Sequence, residues 1–175
     1  MKKIIALFLT AAMIFTTAGI NVTAGSAGRF PDVQKGDWHF TYVDRLANLG
    51  AIEGMPDGKF YPENQITMAE FVKIVVKSTP TIAANNNPYS GIEHWAKDFM
   101  AKAETNKLLN QNEYLPEVWD RPILRREMAK VVSRAMEFVL NEDVIADTDF
   151  YTAMITDWDT QCGPCKPDIA QAYAK

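Results

Sequence analysis

Trp38, Ile66 and Glu70 recur as Trp95, Ile123 and Glu127, each 57 positions further along the chain. A unit of that length is too small to bury a full core alone, so tandem units must pack on their neighbours. Phe30-Pro31-Asp32-Val33 stands ahead of Trp38, and Tyr89-Ser90-Gly91-Ile92 echoes it ahead of Trp95. A third opening, Ile155-Thr156-Asp157-Trp158, precedes the last residue, Lys175. Such modularity favours a binding module over an enzyme.

Within the first unit, Trp38, Tyr42, Val43, Leu46 and Leu49 follow a spacing close to 3.6, which predicts one apolar helix face ending at Gly50. Pro56-Asp57-Gly58 then marks a turn: proline presets the first corner and glycine supplies positive φ. Thr67 and Glu70 form a capping box that opens a second helix, with Phe71, Ile74 and Val75 inward. The second unit repeats the plan with Trp95, Phe99, Met100 and Ala103. Its loop, Asn110 to Pro122, has no glycine, so its turn must be built differently. Its second helix is expected from about Leu124 to Leu140, with Met128, Val131, Val132, Ala135 and Val139 inward and Asp120 helping its N-terminus. In the third unit Ile169 takes the place of Val43 and Met100, and the second helix is missing.

At the N-terminus, Met1-Lys2-Lys3 followed by an apolar run from Ile4 to Phe15 predicts an export signal. The expected layout is a signal peptide over 1–24 (cleavage as late as 27), repeats over 28–80 and 88–141, and a truncated third repeat over 149–175. A retained membrane anchor is the competing reading of the first segment. Without Lys2 and Lys3, 16 basic side chains face 22 acidic ones. With no basic run left, nucleic acid is not an expected partner.

Phe30-Pro31-Asp32-Val33 with Trp38, then Gly54-Met55-Pro56-Asp57-Gly58-Lys59-Phe60-Tyr61-Pro62, then Ile66-Thr67-Met68-Ala69-Glu70, resemble the S-layer homology domain of bacterial surface proteins. The resemblance covers the first unit well, the second moderately and the third only at its start. It implies an all-α fold in which helix-loop-helix repeats pack as a pseudo-threefold bundle with ligand grooves between neighbours. It also implies a cell-wall location and a partner, an anionic (pyruvylated) secondary cell-wall polysaccharide attached to peptidoglycan. The family's Thr-Arg-Ala-Glu motif supplies an arginine for that anion, since a guanidinium fork can hold a carboxylate by two parallel hydrogen bonds. Met68 stands at this position in the first unit and Arg125 in the second, beside Arg126. The implied ligand-binding set is therefore Arg125, Arg126, Trp38, Trp95, Gly54, Asp57 and Gly58, in a groove that combines the first unit's loop with the second unit's arginine.

Plainer roles stand beside these. Trp38 and Trp95 fall on apolar helix faces and are expected to pack in the core, with lining a groove as the second role. Thr67, Glu70 and Glu127 are expected as caps, and Asp57 as a turn-former first. His39 and His94 lack metal-ligand spacing, and neither metal nor cofactor is expected. Cys162-Gly163-Pro164-Cys165 matches the thioredoxin active-site motif, but only ten residues follow it. A local disulfide or an incidental pair is the expected reading. Beside wall anchoring without catalysis, three alternatives remain. They are a self-assembling surface-layer protein, a wall-targeting fragment of a larger wall hydrolase, and a thiol-disulfide oxidoreductase using Cys162 and Cys165. The missing second helix of the third unit predicts an uncovered apolar face, filled by self-association or by a further C-terminal region.

Overall fold

The computed structural model describes residues 28–79 and 87–175. The export signal, like Asn85 and Asn86 of the linker between the units, lies outside them. Among the described residues every regular element is helical, and one isolated antiparallel bridge pairs Thr67 with Pro122. Helix α1 (Phe40–Asn48) and α2 (Met68–Ser78) form the first pair, α3 (Lys97–Thr105) and α4 (Arg125–Arg134) the second. The 57-residue period thus fixes the first residue of each helix as well as the spacing of its side chains. A π-helical turn, Ala135–Val139, extends α4. The short α5 (Asp149–Thr152) and then α6 (Lys166–Ala174) follow, and α6 packs against α4. Like α1 and α3, α6 has nine residues, with Ile169 at the position of Val43 and Met100.

The ends of these helices follow from local chemistry. Gly50, at φ +68°, donates to the Ala47 carbonyl (3.0 Å), and the Ala51 N–H reaches the Leu46 carbonyl (2.9 Å). This paired closure satisfies carbonyls the helix leaves open. In the second unit Lys107 adopts φ +63° and makes the same closure with Glu104, while Leu108 reaches Ala103. At the start of α2, Thr67 Oγ1 accepts the Glu70 N–H (3.2 Å) and the Glu70 carboxylate accepts the Thr67 N–H (2.9 Å). At α4 Leu124 has no side-chain oxygen, so only the carboxylate half forms, from Leu124 N–H to Glu127 (2.9 Å). Asp120, expected to help this N-terminus, instead faces His94 Nε2 at 3.2 Å.

Two apolar clusters hold the molecule together. The larger joins α2, α3 and α4 through Met68, Val72, Met100, Leu108, Trp119 and Val131. The smaller gathers Phe30, Val33, Val43, Ala47 and Ile52 around α1. Between the units runs a seam of main-chain hydrogen bonds. Ile123 N–H donates to the Ile66 carbonyl (3.0 Å), Met68 N–H to Arg121 (3.0 Å) and Ala69 N–H to Trp119 (2.9 Å).

Several expected core residues lie elsewhere. Trp38 is 84% exposed and Trp95 51%, and Tyr42 and Leu49 are exposed too. The reason is where the helices begin: α1 starts at Phe40 and α3 at Lys97, so both tryptophans sit in the preceding turns. The buried stripe of α1 is then Val43 and Ala47, flanked by Phe40 and Leu46. Val132 faces outward on α4. On α2, Phe71, Ile74 and Val75 are only half-buried, whereas Met68, Ala69, Val72 and Val76 are buried. This helix is packed on two sides, by the small cluster through Ile74 and by the large one through Phe71 and Val75.

Candidate functional site

The loop after α1 is shaped from below by Phe30 and Asp32. The Phe30 ring stacks on Phe60 with centroids 5.5 Å apart. Gly54, at φ +77°, lies against it; a Cβ there would stand 2.5 Å from the Phe30 ring and 3.0 Å from the Lys59 carbonyl. The Asp32 carboxylate accepts the N–H groups of Phe60 (2.9 Å) and Tyr61 (2.7 Å). Burial works against ionising Asp32, but these two hydrogen bonds outweigh it and hold the pKa below the usual aspartate value. Further out, Gly58 N–H closes a turn on the Met55 carbonyl (2.8 Å). Asp57 accepts from Lys59 N–H (3.1 Å) and from the Tyr61 hydroxyl.

This loop forms one wall of an open cleft of 330 Å³, whose lining includes Glu53, Gly54, Phe60, Tyr61, Glu70 and Lys73. The Glu53 carboxylate sits between Lys73 Nζ (3.0 Å) and Lys77 Nζ (3.1 Å), and their hydrogen bonds lower its pKa. Lys77 also donates to the Gly50 carbonyl (2.9 Å). Lys73 Nζ lies 5.9 Å from the centre of the Trp95 ring, within reach of its π face. One ammonium therefore connects the first unit's loop to the second unit's exposed tryptophan. Trp95 is itself steadied by the stacked His94 ring, at 5.6 Å.

The second unit builds the corresponding clamp from other residues. Lys130 and Arg134 stand 57 positions after Lys73 and Lys77, and both pair with Glu113. Beneath its loop Trp119 is fully buried, its indole N–H donating to the Tyr114 carbonyl (2.8 Å). Tyr89 meets the Trp119 ring edge-on at 5.0 Å. Arg121 holds Glu127 with two hydrogen bonds, of 2.8 and 2.6 Å. Burial alone would raise the Glu127 pKa, but Arg121 and the Leu124 N–H reverse the shift and keep it below the usual glutamate value.

Of the sequence candidates, Gly54 lines the cleft and Trp95 adjoins it through Lys73. Asp57 and Gly58 lie in the turn outside the lining, and Trp38 stands exposed beside His39. Arg125 and Arg126 are exposed at the start of α4, with no ion pair among the described residues, and they do not line the cleft. The expected groove of first-unit loop plus Arg125 is therefore not what encloses this cleft; Lys73 supplies its cation. Glu53, Lys73, Lys77 and Arg121 escaped the sequence reading. The signal for the lysines was present, because a basic pair four residues apart recurs at the 57-residue period. Cys162 and Cys165 are joined by a disulfide, with Cα atoms 5.2 Å apart.

The S-layer homology domain family matches residues 29–72, from the residue before Phe30 to the middle of α2. Residues 29–72 form an S-layer homology domain. The matched stretch holds Asp32, the Gly54–Gly58 loop and the Thr67–Glu70 capping box. Among similar proteins, S-layer protein EA1 of Bacillus anthracis is 42% identical over 77 residues, 43% of this chain and 9% of that protein. An endoglucanase of Bacillus sp. (strain KSM-635) is 27% identical over 143 residues, 79% of this chain and 15% of its own length. The surface-layer 125 kDa protein of Lysinibacillus sphaericus is 28% identical over 136 residues, 74% of this chain and 12% of its own. The chain thus spans at most 15% of these relatives. An S-layer homology domain is a surface-anchoring domain, and the likeness to surface-layer proteins indicates the cell surface or wall. Among the described residues no helix is long and apolar enough to cross a membrane.

Proposed function

We propose that the chain anchors non-covalently to the cell wall by binding an anionic secondary wall polysaccharide, with the cleft walled by the Glu53–Pro62 loop and the adjoining Trp95 as its main contact. The observation that carries this is the Lys73 ammonium, set between the cleft wall and the face of Trp95. An exposed indole offers an apolar face to a sugar ring. The adjacent ammonium, bonded to Glu53 by one of its three donors, has others to offer a carboxylate such as that of a pyruvate ketal. Gly54 lets the loop close against Phe30, which sets the course of the cleft wall. Arg125 serves as a second anion contact at the start of α4, where a cation unpaired among the described residues stands against the helix dipole. Catalysis has no part in this function.

Co-sedimentation with peptidoglycan sacculi that retain or lack their secondary polymer tests the reading. Binding only to sacculi that retain the polymer is expected, and equal binding to both overturns it. Trp95→Ala and Lys73→Ala should each weaken retention. Arg125→Ala should cost about 1.5–3 kcal/mol if the guanidinium forms two charge-assisted hydrogen bonds. An unchanged affinity would return Arg125 to a solvated surface role.

A further inference from the structure

In the first two units the tryptophan stands two positions before its helix; in the third, Trp158 stands eight positions before α6. The extra segment holds Cys162 and Cys165, so the disulfide belongs to an addition that the repeat itself does not require. The bond spans a single 3₁₀ turn, Gly163–Cys165, which runs without a break into α6. Cys162 has extended backbone (φ −61°, ψ 135°), and its carbonyl accepts the N–H groups of Cys165 (2.9 Å) and Lys166 (3.2 Å). It therefore occupies the capping position of one helical run that ends at Ala174. The two sulfur-bearing residues differ in access: Cys162 is exposed and Cys165 half-buried.

A cross-link that closes so short a loop removes less entropy from the unfolded chain than one closing a long loop, so it contributes less to stability by that route. The turn is already held by the two hydrogen bonds to the Cys162 carbonyl and by Pro164 and Pro167. Beside it lies a cleft of 490 Å³ lined by Pro164, Pro167, Arg134 and Phe138, which leaves room for an approaching chain.

We infer that Cys162–Cys165 is a redox site that exchanges with external dithiols, independently of polysaccharide binding. An external thiolate attacks the exposed Cys162 Sγ; the new S–S bond forms as the Cys162–Cys165 bond breaks, and Cys165 leaves as a thiolate. The second thiolate of the external dithiol then attacks its own sulfur in the mixed disulfide and displaces Cys162. The external dithiol is oxidised to a disulfide, and the two cysteines take up two electrons and, from solvent, two protons. The N-terminal end of a helix stabilises the departing Cys162 thiolate.

The test uses the full chain under native conditions. Dithiothreitol followed by iodoacetamide should alkylate both cysteines while far-ultraviolet circular dichroism stays unchanged; alkylation only after denaturation overturns the inference. Cys165→Ser frees Cys162 and Cys162→Ser frees Cys165, and each thiol is then reacted with an aromatic disulfide. Cys162 should react at least ~10-fold faster, as its access and helix position require. Equal rates, or a faster Cys165, refute the assignment. The wild-type reduction needs no variant to fold.

Discussion

Asp32 does at the residue scale what no stretch of sequence announces. It lies 28 residues from Phe60, yet its carboxylate fixes the path of the loop by accepting two of its N–H groups. Because its folded pKa lies below the ordinary aspartate value, its stabilisation is fully present above that ordinary value. The contribution is lost as pH falls through the lower folded value. Asp32→Asn should therefore weaken the loop at neutral pH and reduce the acid dependence of unfolding, read from denaturation midpoints across pH 2–6. An unaltered pH profile would show that ionisation of Asp32 is not coupled to folding. Gly54→Ala should cost more than about 1 kcal/mol, because a Cβ at positive φ also meets Phe30; chemical denaturation checks this. The turn residues around Gly58 were legible because their conformational demands are local. Asp32 was not, since nothing local distinguishes a carboxylate bound to distant amides from a solvated one.

Among the elements, the second unit's loop shows how one shape is reached by different chemistry. Where the first unit uses Gly54 and a Phe30–Phe60 stack, the second buries Trp119 beneath Tyr89. Trp119→Ala should cost about 3–5 kcal/mol, measured by denaturant unfolding, since so large a cavity cannot collapse fully. Arg121→Ala leaves the buried Glu127 carboxylate without its fork and should cost on the order of 2 kcal/mol. Arg121→Ala with Glu127→Gln should recover part of that loss. Helix termini were readable because Gly50, Thr67 and Glu70 act on amides only a few positions away. Helix faces were less readable. Trp38, Tyr42 and Leu49 share the period of Val43, and periodicity alone does not show that the helix begins two residues after Trp38.

Across the whole molecule the two clusters predict unequal local stability. The amides of α2 and α4, which border the larger cluster, should exchange with solvent most slowly. Those of α1, which rests on the smaller cluster and carries exposed Tyr42, should open at lower free energy. Native-state hydrogen exchange checks this, and equal protection of α1 and α2 would mean the clusters unfold together. The repeat made the all-α plan and two helix pairs legible. It could not show that Lys73 reaches Trp95, because that contact depends on how one unit is set against the next.

The seam between the units carries a consequence for how such chains can change. Its donors and acceptors at residues 66, 68, 69, 119, 121 and 123 belong to the backbone, which every residue carries and whose donor only proline lacks. Side chains along the join can therefore be exchanged as long as the backbone keeps its course and packing permits. Neighbouring units can thus drift apart in vocabulary while keeping one grammar of assembly, provided each exchange refits the buried Met68, Ala69 and Trp119 at the joint.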